Sequence, residues 1–148
     1  MCNATVLVID DNPLDRKIFE TAFGKAGIKA ITLGNPLEAV ETAKRVKPTF
    51  IVLDLQMPDM SGFEVCKQLK VEEETREIPI VFVSGEDNPD AQVKSLHLGV
   101  IDYLHKPVPI EYLVDQVIKH DVITGLIEAM QPMKQQMRSF YEKYKDGL

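Results

Sequence analysis

Four consecutive apolar residues, Phe50-Ile51-Val52-Leu53, run directly into a carboxylate at Asp54. No polar residue alternates within the run. That is the pattern of a strand covered on both faces, as in a parallel sheet layered by helices. Open α/β sheets bind ligands beyond the carboxyl ends of their strands. Asp54 is therefore expected at the sheet edge where such a fold carries its chemistry, with a turn-rich loop, Leu55 to Gly62, behind it.

The rest of the chain repeats the pattern. Val6-Leu7-Val8-Ile9 is a second apolar strand, and it ends in Asp10-Asp11. Ala30 to Leu33, Ile78 to Val83 and Val100 to Leu104 read as three more; Ser84-Gly85 follows the second of these and His105-Lys106-Pro107 the third. Helix starts lie between the strands. Asn12-Pro13, Asn35-Pro36 and Asn88-Pro89 each join a capping residue to a proline suited to the first helical turn. Ser61 offers a fourth cap, and Ile110 to Ile118 reads as a fifth helix. Ile18, Phe19, Ala22, Phe23 and Ala26 supply the apolar face of the first helix; Val93, Leu96 and Leu98 carry the apolar positions of the fourth. Five strands alternating with five helices predict an α/β fold with right-handed crossovers and a doubly wound parallel sheet.

Composition narrows the class. At 148 residues one domain is expected, and a net charge of −6 argues against a general nucleic-acid surface. Two cysteines, Cys2 and Cys66, are read as reduced thiols of a cytoplasmic protein. The N-terminus has no basic region ahead of an apolar one, so no secretory signal is read. No apolar run approaches the roughly 20 residues that span a bilayer.

In a parallel sheet all the strand ends named above share one edge. Asp10, Asp11 and Asp54 would meet there and repel one another, which costs several kcal/mol or forces protonation unless a cation intervenes. Mg²⁺ suits such a site, because it takes oxygen ligands, few carboxylates and retained water. Ser84 and Lys106 suit the oxygens of a phosphoryl group instead. Taken singly, an Asp at a strand end is a turn or cap residue, and Ser-Gly or Lys-Pro is a loop. Their joint fall on one edge points to phosphoryl transfer onto Asp54, with Lys106 and the metal neutralising oxygens.

Asp10-Asp11, Leu53-Asp54 with Met57-Pro58 and Ser61-Gly62, Ser84-Gly85, Tyr103 and Lys106-Pro107 together resemble the receiver domain of two-component response regulators, the CheY-like family. The resemblance covers residues 4 to 119. It implies a flavodoxin-like sheet of order 2-1-3-4-5, and a switch that accepts phosphate on Asp54 from a sensor histidine kinase or phosphotransfer protein. It implies Asp10, Asp11, Asp54 and the Gln56 carbonyl as Mg²⁺ ligands, and Ser84 and Lys106 as phosphoryl partners. Tyr103 would move with Ser84, Gln56 and Glu86 would tune phosphate lifetime, and Lys106-Pro107 would be cis. Such a chain catalyses only its own phosphorylation and dephosphorylation. A haloacid-dehalogenase-type phosphatase needs a second Asp where Gln56 stands. A flavin binder needs a phosphate-cradling loop where Asp10-Asp11 stand.

Residues 1–119 are thus expected to form the receiver and 120–148 a helical extension. Ile123, Leu126, Met130, Met133, Met137, Phe140 and Tyr144 recur at three- and four-residue steps, a heptad-like seam. Pro132 interrupts it, so a kink or two helices are expected. The seam must cover its own receiver or another chain, and a homodimer is the reading favoured. His120 to Leu126 also resembles the opening of a diguanylate cyclase domain, but no cyclase signature follows. The alternative reading is therefore a truncated input domain of a larger regulator.

Overall fold

The computed structural model describes residues 3–147. Its strands are β1 (Thr5–Ile9), β2 (Lys29–Leu33), β3 (Phe50–Asp54), β4 (Ile80–Ser84) and β5 (Asp102–His105). Its helices are α1 (Pro13–Lys25), α2 (Ala39–Val46), α3 (Gly62–Val71), α4 (Pro89–His97) and α5 (Ile110–Tyr144). The strands pair in parallel in the order β2-β1-β3-β4-β5. The parallel, doubly wound sheet expected from the alternation is observed, in the order that the family resemblance implies.

The apolar run of β3 explains itself in this arrangement. Ile51 and Leu53 face one core layer with Val65, Cys66 and Leu69 of α3. Phe50 and Val52 face the other, with Phe19 and Phe23 of α1 and Leu113 and Val117 of α5. All five residues of β3 are buried. Each large side chain buried in this way contributes about 1.5–3 kcal/mol. Of the two cysteines, Cys66 is buried and free, and Cys2 lies outside the described residues.

The Asn-Pro pairs act as their chemistry predicts. Asn12 Oδ1 accepts from the amides of Leu14 and Asp15 at 2.9 and 3.3 Å. Asn88 Oδ1 accepts from Asp90 and Ala91 at 3.0 and 3.4 Å. Asn35 caps a short 3₁₀ turn, Pro36–Glu38, which leads into α2. Ser61 Oγ accepts from Glu64 at 3.3 Å and starts α3.

Three expectations need correction. In α4, Val93 and Leu96 are 55% and 77% exposed; Ala91 and, at the helix end, Leu98 pack against the core, while Ser95 is buried with its hydroxyl donated to the Ala91 carbonyl at 2.7 Å. β5 begins at Asp102 rather than Val100, because Gly99 at φ +75° extends the turn before it. Pro132 does not divide the C-terminal segment: α5 runs unbroken for 35 residues, about 50 Å. Pro132 and Glu128, whose carbonyl would have bonded to residue 132, are both exposed, so water can satisfy the freed group. The seam does not fold back onto the receiver either. Every residue from 122 to 147 is exposed, and the last ring against the sheet is His120, 5.6 Å from Phe50.

Candidate functional site

The parallel sheet brings together what the sequence distributes over 96 positions, from Asp10 to Lys106. Asp10 leaves β1, Asp54 ends β3, and an oxygen from each of Asp10, Asp11 and Asp54 can be chosen so that all lie within 4.8 Å of one another. Asp10 is fully buried and Asp54 is 3% exposed, while Asp11 faces solvent. Two carboxylates under cover with a third beside them form a donor set that could hold a hard cation. Burial, more than any neighbour, pushes the Asp54 carboxyl up to about 6; the Gln56 amide and Lys106 oppose the shift, and Asp10 adds to it.

One ammonium answers these charges. Lys106 Nζ lies 3.0 Å from Asp10 Oδ2, 2.9 Å from Asp15 Oδ2 and 3.4 Å from Asp54 Oδ2. Burial alone would lower its pKa, but the hydrogen bonds to Asp15 and Asp10 outweigh that and raise it. The Lys106 amide donates to the Ser84 carbonyl at 2.7 Å, and the Lys106-Pro107 peptide is cis, as expected.

The surrounding loops are fixed by short-range hydrogen bonds. Asp10 Oδ1 accepts from the Asn12 amide at 2.9 Å and Asp54 Oδ1 from the Gln56 amide at 3.1 Å. Gln56 Oε1 reaches across to the Gly85 amide at 3.3 Å. Ser84, 2% exposed, accepts from the Glu86 amide at 3.1 Å. Tyr103 packs partly against the core, and its hydroxyl donates to the Glu86 carbonyl at 3.0 Å. Asp10, Asp11, Asp54, Gln56, Ser84, Glu86 and Lys106 thus lie at this edge or on its loops, while Tyr103 lies within β5 and reaches the β4–α4 loop through its hydroxyl.

Two residues were missed. Asp15 holds Lys106, and Arg16 Nη1 donates to the Asp10 backbone carbonyl at 2.8 Å. Asp15 is in the first turn of α1, where an acidic residue ordinarily serves the helix dipole. Its nearness to Lys106 depends on two chain segments 91 positions apart.

Known proteins share this architecture. The family model "response regulator receiver domain" matches residues 6–118. A probable cyclic di-GMP phosphodiesterase of Vibrio cholerae is 33% identical over 121 residues, which is 81% of this chain but 27% of that protein. The chain therefore spans about a quarter of that relative's length. The polar-differentiation response regulator DivK of Brucella anthropi is 30% identical over 113 residues, covering 76% of this chain and 92% of DivK. A crystal structure of a response regulator receiver protein from Pseudomonas putida aligns with a TM-score of 0.73 at 29% identity, covering 80% and 98% of the two chains.

Proposed function

The chain belongs to the response regulator receiver domain family, and from that premise we propose that Asp54 is its phosphoacceptor. Residues 1–119 would be the receiver and 120–148 an extension of it. One arrangement carries the reading: Asp54 is buried at a strand end, with two further carboxylates within 4.8 Å and an ammonium at 3.4 Å. In the step, an Asp54 oxygen attacks the phosphorus of a phosphohistidine. The N–P bond breaks, an acyl phosphate forms, and the imidazole leaves with its electron pair and takes up a proton. Lys106 and the Ser84 hydroxyl would take phosphoryl oxygens, and Tyr103 would follow Ser84. Gln56 and Glu86 flank the position the phosphoryl group would occupy and would set access of water to it. The donor partner is a sensor histidine kinase or phosphotransfer protein, and the setting the cytoplasm. Among the described residues no helix is long and apolar enough to cross a membrane.

Asp10, Asp11, Asp54 and the Gln56 carbonyl would hold Mg²⁺, whose charge would offset that of the transferring phosphoryl group. Acetyl phosphate or phosphoramidate with Mg²⁺ should add one phosphoryl group by intact mass. Asp54→Asn should add none, and stoichiometric labelling of that variant would overturn the assignment. Asp11→Ala should stay folded and lose Mg²⁺-dependent labelling; labelling at the parental rate would remove Asp11 from the ligand set.

We also propose that the distal half of α5 pairs with a second copy of the chain. Leu126, Met133, Met137 and Phe140 are 60%, 58%, 66% and 64% exposed along one heptad seam. Most of the stability of a helix in a protein comes from packing an amphipathic face, which this segment lacks within the chain. A two-fold pair would cover both seams at once. Light scattering should give a dimer for the full chain, and a monomer after truncation beyond Asp121, which keeps His120 against Phe50. A full chain that stays monomeric at high micromolar concentration, with and without beryllofluoride, excludes the pair.

A further inference from the structure

We propose that Asp15 is a positioning residue of the phosphoryl site: it competes for the Lys106 ammonium and so weakens the site's hold on a phosphoryl group. The inference rests on the assignment of Asp54 as acceptor. An ammonium has three donors. In the described structure Lys106 directs hydrogen bonds to Asp15, Asp10 and Asp54, at 2.9, 3.0 and 3.4 Å. A phosphoryl oxygen can therefore gain Lys106 only when a carboxylate gives it up.

The three carboxylates differ in what can release them. Asp10 and Asp54 belong to the acidic group that could hold a cation, and a bound cation would take up much of their charge. Asp15 stands outside that group, in the first turn of α1. It keeps its attraction for Lys106 when the metal is present. The lysine also has room to move. Lys106 and Asp15 both line a cavity of about 130 Å³, with Ile18, Phe19, Val108 and Ile110 among its other walls. The Asp15–Lys106 pair is partly exposed, with side chains 27% and 22% accessible. Its influence is accordingly a several-fold effect, not one of orders of magnitude.

Asp15 also sits where an acidic side chain favours a helix N-terminus. A purely structural role would change thermal stability and leave phosphoryl binding alone. The test uses the full chain with Mg²⁺ and beryllofluoride as the probe. Asp15→Asn keeps the side-chain size and removes the charge. It should bind the probe about twofold to fivefold tighter and lose phosphate from Asp54 correspondingly more slowly. Asp15→Glu should return both values toward the parent. In a Lys106→Met background the Asp15→Asn change should have little effect, read by labelling rate with phosphoramidate if probe binding is too weak to measure. Parental affinity and lifetime in Asp15→Asn overturn the proposal. So does an undiminished effect without Lys106, which would mean simple repulsion of phosphate. A parent chain that takes no phosphoryl group on Asp54 instead overturns the acceptor assignment itself.

Discussion

Asp54→Asn is expected to melt well above the parent at pH 7 in metal-free buffer, and to lose that advantage near pH 4. The folded chain holds the Asp54 carboxyl at about 6 against an ordinary 3.8, first because it is buried. A folded-state pKa above the unfolded one means that the folded chain binds the proton more tightly. Stability is then favoured in acid and falls as pH rises from about 4 to about 6. Above that window the charged carboxylate costs about 2–3 kcal/mol, which a neutral amide of the same shape avoids. For a chain of this size the gain corresponds to roughly 5–10 °C at pH 7. Added Mg²⁺ should narrow the gap by binding the parent alone. A variant no more stable than the parent at pH 7, or a gap independent of pH, would show that Asp54 is not held under strain by burial.

How much of this was legible in the sequence follows from what each signal encodes. The Asn-Pro pairs specify helix starts through local chemistry, a cap oxygen and a fixed φ, and all three open helical turns. The apolar runs of β1, β3 and β4 specify strands covered on both faces, because only that position tolerates no polar alternation. Parallel pairing then brings Asp10, Asp54 and Ser84 to one edge without any contact having to be guessed. Contacts between side chains on distant segments were not legible. Asp15 and Arg16 read as ordinary first-turn residues of α1, since nothing near them in the chain mentions Lys106 or the Asp10 carbonyl. Periodicity also gives a face without saying what covers it. Val93 and Leu96 sit at helical spacing yet point to solvent, while Ala91 and Leu98 pack against the core and Ser95 is buried. The seam of α5 is the same case on a larger scale: its heptads are plain, yet every residue from 122 to 147 is exposed.

Gly62→Ala should be the most damaging single-methyl change near the site. Gly62 opens α3 directly beneath the end of β3, and its amide donates to the Leu55 carbonyl at 3.1 Å. A Cβ there would press on the Asp54 carbonyl oxygen, with the Leu55 Cα at 2.8 Å and the Asp54 carbonyl carbon at 3.0 Å. All three are backbone atoms and cannot rotate aside. β3 cannot yield either, because Leu55 donates to the Val83 carbonyl at 3.0 Å and the strand is buried on both faces. The helix must shift, at the upper end of the usual cost of overpacking, about 3 kcal/mol. That is roughly 10 °C in melting temperature. Because the clash is with Asp54 itself, labelling by phosphoramidate should slow as well, in protein that remains folded at low temperature. Gly85→Ala is the control. It borders the same site, but its Cβ would meet only Gln56 Oε1 at 3.6 Å, an ordinary contact. Its melting temperature should stay within about 2 °C of the parent. If both alanine variants melt together, the close approach of α3 to the end of β3 does not constrain the site.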